Sequence, residues 1–213
     1  MVYLSYLIKT KSLYLIKMHT AFDQIEPIFN QFKNRANVEI ELRLGKISSG
    51  KFDTNVGKQN FETILSGLHR YQLWEKVSKS NTTVYFAGDV RVIDDEDSGV
   101  ASAHKKTKLK KIDVSLENKP YDLRFSVSTE IACQKPGENT EYDDMRIRKR
   151  ISFVRKNLSI DMTVVGGDAD DPDSEENERY EIELEIVKPP IVKDKNELYN
   201  IIHKVDDILK LLV

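Results

Sequence analysis

The stretch VEIELRLG, residues 38–45, alternates strictly. In an extended chain Val38, Ile40, Leu42 and Leu44 fall on one face, and Glu39, Glu41 and Arg43 on the other. One face is wholly apolar; the other crowds two carboxylates and a guanidinium. The pattern returns late in the chain in YEIELEI, residues 180–186, where Glu181, Glu183 and Glu185 oppose Ile182, Leu184 and Ile186. Between these two segments the charge is mostly basic or mixed. MRIRKRISF puts Arg146, Arg148 and Arg150 on one face, and LRFSVSTEI puts Arg124, Ser126, Ser128 and Glu130 there. LSIDMTVV offers Asp161 and Thr163, KKTKLKK offers Lys106, Lys108 and Lys110, and DVRVI offers Arg91.

A sheet with one solvated face produces such alternation in any single strand. The set of strands asks for more. Carboxylates at i and i+2 lie roughly 6.6 Å apart and, at an effective dielectric of about 20, repel by about 2.5 kcal/mol per pair. Five glutamates on two strands are a poor surface choice without a cation. If the first and last strands meet across a barrel closure, Glu39 and Glu41 come beside Glu181, Glu183 and Glu185, a hard-oxygen set suited to Mg²⁺ or Mn²⁺. The arginine and lysine faces would then bind the rest of a polyanion, since guanidinium forks onto phosphate. An acidic floor, basic walls and a metal between them describe a triphosphate site.

The 213 residues suit one sizeable domain, read here as residues 20–213 with an N-terminal arm over 1–19. Hydrophobic residues are 39% and charged residues 32%, a globular but charge-rich composition. The 33 basic and 35 acidic residues nearly cancel, to a net charge of -2, which disfavours a protein that coats nucleic acid by bulk charge. Cys133 is the only cysteine, so no intrachain disulfide forms, and a reducing, cytoplasmic setting is expected rather than secretion. His19, His69, His104 and His203 lack a soft partner at zinc spacing. The opening run MVYLSYLIKTKSLYLIKM is broken by Lys9, Lys11 and Lys17, short of a membrane span, and it lacks signal-peptide flanks.

Phe22, Ile25, Ile28, Phe29 and Phe32 predict a helix over 20–33, capped by Thr20 and Asp23 and kinked or restarted at Pro27. GKISSGKFDTNVG, residues 45–57, reads as a loop, and Phe61, Ile64, Leu65 and Leu68 predict a second helix. From Trp74 strands follow one another, WEKVSKS and TTVYFAG first, separated by turn-rich or acidic loops, until Pro189 and Pro190. Leu198, Ile201, Ile202, Val205, Ile208, Leu209 and Leu212 predict a C-terminal packing helix. Eight or nine strands joined by mostly short loops suggest an antiparallel meander closing into a barrel, a mainly β, α+β fold.

With EIELR at Glu39–Arg43, EIELE at Glu181–Glu185, LRFSVSTEI, the arginine strand and IDMT at Asp161–Thr163, the chain resembles the triphosphate tunnel metalloenzymes. Within them it is most similar to the metal-dependent RNA triphosphatases of fungal, protozoan and large-DNA-virus mRNA capping systems, a giant-virus capping enzyme included. The likeness covers about residues 37–187. It implies an eight-stranded antiparallel β-barrel with a charged tunnel inside and helices packed outside. It implies that Glu39, Glu41 and Glu185 ligate Mg²⁺ or Mn²⁺, and that Glu181 and Glu183 hold metal-bound or attacking water. Arg91, Lys106 or Lys108, Arg146, Arg148 and Arg150 would bind phosphates, with Arg43 and Arg124 in the same basic set, and Glu130 and Asp161 would orient those side chains. Of the basic residues, Arg91 and Arg148 join the glutamates in the catalytic set. Arg43, where the thiamine-triphosphatase and adenylyl-cyclase branch has lysine, moves the reading toward the capping branch. The lysine strand fits in more than one register.

The implied reaction removes the γ-phosphate of a 5'-triphosphate RNA end, the first step of mRNA capping, with no covalent intermediate. Guanylyltransferase and methyltransferase modules are the implied partners, because the sequence holds no K-x-D-G nucleotidyl-transfer motif. Two alternatives stay open: a hydrolase of nucleoside triphosphates or tripolyphosphate, and a non-catalytic polyphosphate or RNA-end binder. The expected location is cytoplasmic, a viral factory or virion for a viral chain. Gly45, Gly50 and Lys51 have P-loop spacing, but Phe52 stands where Ser or Thr belongs. Cys133 lacks the arginine of a cysteine phosphatase loop, and DADDPDSEEN lacks the glycine of an EF-hand.

Overall fold

A computed structural model describes residues 19–137, 139–166 and 178–212. The expected arm over 1–19 therefore lies, but for His19, outside the described residues, as does the acidic loop after Gly166. Helix α1 spans 19–32. It is already formed at His19, so Thr20 sits within it rather than at its cap, and it continues unbroken through Pro27. Pro27 is on the exposed side, where the carbonyl it leaves without a partner can meet water.

Nine strands follow with two more helices: β1 Val38–Ser48, β2 Lys51–Asp53, α2 Lys58–Arg70, β3 Lys76–Ala87, β4 Val90–Asp95, β5 Val100–Val114, β6 Asp122–Ala132, β7 Asp144–Arg155, β8 Leu158–Gly166, β9 Arg179–Ile186 and α3 Lys195–Leu209. All pairings are antiparallel, in the order β1-β6-β5-β4-β3-β7-β8-β9, and β9 returns to β1 to close an eight-stranded barrel. At the closure Glu41 faces Glu185, Leu42 faces Leu184 and Arg43 faces Glu183, so the two acidic motifs are ladder partners.

The core lies outside the barrel. Ile40, Leu42 and Leu44 are fully buried on the outer face of β1, and Leu123, Phe125, Ile182, Leu184 and Ile186 continue that surface over β6 and β9. Ala21, Ile25 and Phe29 of α1, Phe61, Ile64 and Leu68 of α2, and Leu198, Ile202, Val205 and Leu209 of α3 join them in one cluster. Each such side chain contributes about 1.5–3 kcal/mol of burial, and this fixes which strand face turns inward. The Asp194 carboxylate caps α3 by accepting the Glu197 N–H at 2.9 Å.

Two segments differ from expectation. The 45–57 loop is instead a hairpin: β1 runs on to Ser48, and Ser49 and Gly50 take φ 49° and 73° in a two-residue turn into β2. Gly45 makes room for it, because a Cβ there would lie 2.2 Å from the Asp53 carbonyl oxygen and 2.3 Å from the Phe52 ring. WEKVSKS and TTVYFAG merge into β3, whose central Asn81 is fixed by the Asp97 carboxylate at 3.1 and 3.3 Å.

Candidate functional site: a charged tunnel

Residues directly opposed in an antiparallel ladder share a face. From Glu41 this rule carries the inner face to Ser126 of β6 and Lys111 of β5, and through Glu185 to Ser159 of β8. Glu39, Glu41, Arg43, Arg124, Glu130, Lys106, Lys108, Arg91, Arg146, Arg148, Arg150, Asp161, Glu181, Glu183 and Glu185 all have inner-face parity. Of the charged residues singled out in the sequence, all but Lys110 thus have lumen parity. Val84, Ile93 and Val165 share it, so the lining is not wholly ionic.

Lys110 does not join Lys106 and Lys108. A bulge between Lys108 and Lys110 shifts the register, so that Lys110 opposes Val127 and Lys111 opposes Ser126. The cause is parity: without the bulge, Lys106 and the core-facing Ile112 and Val114 would point the same way.

The acidic side is held by short contacts. Glu39 binds Lys106 and accepts the Ser128 hydroxyl at 2.9 Å. Glu41 accepts Ser126 at 3.2 Å and Arg43 at 3.4 Å, with the Lys106 ammonium 3.9 Å away. Arg43 reaches Glu183 at 2.5 Å, and Arg150 bridges Asp161 at 3.0 Å and Glu183 at 3.4 Å while donating to Thr163 at 3.0 Å. Glu130 stands 3.9 Å from Lys106 and 3.7 Å from His104. Glu181 accepts Thr54, just beyond β2, at 2.6 Å.

The basic side is less neutralised. In the ladder Arg148 lies between Thr82 and Val165, neither of which can pair with its charge, and no carboxylate reaches it among the described residues. Among the described residues Arg91 meets the Phe86 ring, 5.5 Å from its guanidinium carbon, and no carboxylate pairs it. Arg146 reaches Asp144 at 2.8 Å and lies 5.0 Å over the same ring. Arg124 is forked onto Asp113 at 2.6 and 2.9 Å and stacks 4.4 Å from Phe52, so its charge is already engaged.

These surroundings split the carboxylates. Burial works against the charge of Glu41, but Arg43, Lys106 and the Ser126 hydroxyl outweigh it and hold its pKa below the usual range. Burial raises Glu183, and Glu41 and Glu181 add to the rise that Arg43 and Arg150 oppose. Glu185 is pushed up to about 7 by burial and by Glu39, Asp161 and Glu41, with Arg150 offsetting only part. Burial, with Arg150 and Arg91 nearby, lowers Arg148 to about 10 against the pull of Glu183 and Glu181, and it stays charged at neutral pH. One end of the acidic wall therefore has more negative charge than its cations balance.

That donor set fits a hard divalent ion: three carboxylates, Glu39, Glu41 and Glu185, adjoin across the closure and lack a full counter-charge. Their oxygens do not lie within 4.8 Å of one another, because Lys106, Ser128, Ser126 and Arg43 draw Glu39 and Glu41 aside. Among the described residues the one group that tight is His203, Asp206 and Asp207 on α3, whose two aspartates are engaged by Lys119, Lys204 and Lys210.

Other features stand apart. A cavity of about 510 Å³ lies outside the barrel among Leu68, Trp74, Lys156, Ile201 and Leu211. Cys133 is exposed, the Gly45–Lys51 stretch is hairpin rather than P-loop, and no described helix is long and apolar enough to cross a membrane. The sequence reading missed Lys111, Thr54 and Phe86. Only Lys111 had a signal, the parity conflict along β5.

Known proteins resemble this chain in sequence and in fold. The family model described as mRNA capping enzyme, beta chain, matches residues 81–212. The mRNA-capping enzyme subunit beta of Schizosaccharomyces pombe is 26% identical over 99 residues, 46% of this chain and 32% of that one. Its counterpart in Cryptococcus neoformans is 30% identical over 105 residues, 48% of this chain and 26% of that one. The matched region is thus a third or less of those relatives. The S. pombe Pct1 RNA triphosphatase superposes with a TM-score of 0.73 at 17% identity, covering 89% of this chain and 92% of that one. The Mimivirus capping enzyme triphosphatase gives 0.65 at 17%, covering 90% and 97%.

Proposed function

From the premise that this chain belongs to the mRNA capping enzyme, beta chain, family, we propose that it is a metal-dependent polynucleotide 5'-triphosphatase. It removes the γ-phosphate from triphosphate-ended RNA and leaves a diphosphate end. The observation that carries this is the split lumen: acidic β1 and β9 share it with Arg148 of β7 and Arg91 of β4, which no carboxylate pairs among the described residues. A pure anion binder gains nothing from Glu181, Glu183 and Glu185. A pure cation binder gains nothing from Arg91 and Arg148.

Glu39, Glu41 and Glu185 would hold Mg²⁺ or Mn²⁺, which when bound neutralises charge on phosphate oxygens. Arg91 and Arg148 point unspent charge into the lumen and take the equatorial oxygens of the transferred group. Arg150 is kept in place by Asp161 and Thr163, and Lys106 by Glu39 and Glu130, so both present fixed cations at no cost of reorganisation. Glu183, whose proton affinity is raised, and Glu181 orient the attacking water and take up its proton. Guanylyl transfer to the product would fall to partner modules, and the expected setting is the reducing compartment where capping proceeds.

The test is phosphate release from triphosphate-ended RNA and from ATP, with Mg²⁺ or Mn²⁺ and with chelator. Metal-dependent release that is lost in Glu39→Ala and Glu185→Ala is the expected result. Turnover retained in either variant removes these ligands, and turnover of ATP alone makes the chain a nucleotide hydrolase.

A further inference from the structure

The two mouths of the tunnel differ in character. Along the ladders Arg150 leads through Thr163 to Glu181, and Arg148 through Val165 to Arg179. Moving from Arg150 toward Arg146 therefore means moving away from Glu185. Arg179 contacts Asp53 at 2.8 Å, so the Arg146 mouth is also the mouth of the β1–β2 hairpin. The other mouth carries Glu39, Glu130 and Glu185.

Phe86 stands at the hairpin mouth, two residues before the Gly88–Asp89 turn and directly across from Arg91 and Asp144. It is half-buried, and among the described barrel strands it is the one Phe, Tyr or Trp on the lumen face. Its ring lies 5.5 Å from the Arg91 guanidinium, which it holds without neutralising as a carboxylate would, and 5.0 Å from that of Arg146, which Asp144 pairs from one side. Lys108 and Lys111, exposed and with no carboxylate partner among the described residues, lie on β5 toward the same mouth. Beyond Lys111 the ladder continues to Asp113 and Arg124, which stacks on Phe52 of β2.

An aromatic ring among guanidinium planes, with lysines beyond, is how single-stranded nucleic acid is gripped: bases stack on flat groups and ammonium groups track the backbone. We propose that the hairpin mouth admits the RNA, that Phe86 with Arg91 and Arg146 forms a subsite for its first nucleoside, and that Lys108 and Lys111 meet the phosphates that follow. This rests on the triphosphatase reading. It gives the tunnel a means of preferring an RNA end over a bare tripolyphosphate, which has nothing to place on the ring.

The experiment compares kcat/KM for a short triphosphate-ended RNA with kcat/KM for inorganic tripolyphosphate, with Mn²⁺. Phe86→Leu is expected to lower the RNA-to-tripolyphosphate ratio about tenfold, mostly through KM, and Phe86→Trp to restore it. Lys111→Ser is expected to flatten the salt dependence of RNA affinity by about 0.7 in the log–log slope. An unchanged ratio, or equal losses on both substrates, overturns the subsite and leaves Phe86 only positioning arginines. If the wild-type chain hydrolyses neither substrate, the triphosphatase reading is what has failed. The anisotropy of a labelled triphosphate-ended RNA then decides the subsite: about tenfold weaker binding by Phe86→Leu supports it, and equal binding overturns it.

Discussion

Replacing Glu185 by glutamine should make the metal-free protein more stable while removing its activity. In the folded chain burial and three neighbouring carboxylates move the Glu185 pKa from 4.5 to about 7. A carboxylate whose folded pKa is raised opposes folding when ionised. The cost is absent below about pH 4.5, where both states are protonated, grows toward pH 7, and is complete above it. At about 1.4 kcal/mol per pH unit the ceiling is about 3 kcal/mol, and solvent at the partly exposed carboxylate reduces this to about 2 kcal/mol. Glutamine keeps the shape and carries no charge, so Glu185→Gln gains about 2 kcal/mol near pH 8 and under about 1 kcal/mol near pH 5.

The assay is urea unfolding in chelator, followed by the fluorescence of Trp74, the only tryptophan, which packs 5.4 Å from Phe153 beneath α2. Adding Mg²⁺ or Mn²⁺ should then reverse the order. Ion at about a hundredfold its Kd stabilises the wild-type chain by about 2.7 kcal/mol, and the glutamine variant by far less. Equal stability of the two chains near pH 8, or the same gain near pH 5, would refute the account of uncompensated charge. On the proposed reading, function and stability conflict at this one side chain.

Two further contrasts follow from the same charge accounting. Among the described residues no carboxylate pairs Arg148, so Arg148→Gln should hold or raise the melting temperature while KM for the triphosphate end climbs about ten- to a hundredfold; Arg150→Gln takes the cation from Asp161 and leaves Glu183 with Arg43, and should cost about 3 kcal/mol. Asp206 on α3 is buried, and Lys119 and Lys210 more than offset the penalty of that burial, holding its carboxyl below the usual 3.8. Its contribution is present above about pH 4 and lost as pH falls through the lowered pKa, so Asp206→Asn should cost about 2 kcal/mol at neutral pH, and the gap should close in acid.

Which parts of the molecule could be read from the chain depended on contrast between strand faces. In β1 and β9 every outward position is aliphatic or aromatic and every inward one ionic through the motif, so a shift by one residue would bury charge against the helices; register and burial were both legible. In KKTKLKK lysine occupies both parities, and the pattern alone carries no register. The deciding residues, Ile112 and Val114, lie outside the motif. Gly45–Asp53 looked like a loop because Lys46, Ser48, Ser49 and Lys51 interrupt any apolar period; its order comes from Phe52 folding over Gly45, a contact made in space rather than along the chain. Phe86 was invisible as a site residue for the opposite reason, since an apolar residue in a strand reads as core until the barrel shows which way it points.

The helices do more than cover grease. The core cluster lies behind β1, β6, β8 and β9, the wall that bears Glu39, Glu41, Asp161, Glu181, Glu183 and Glu185. Behind the opposite wall the outer faces of β3 and of the first half of β5 carry Lys79, Asn81, Lys105 and Thr107, and the outward-facing Val77 is 47% exposed. Carboxylates that must converge on one small ion need a backing that cannot yield, because a shift of a few tenths of an ångström spoils the coordination of a hard cation. Inverting the barrel, with its apolar side turned out, lets the helices pack directly behind the acidic strands.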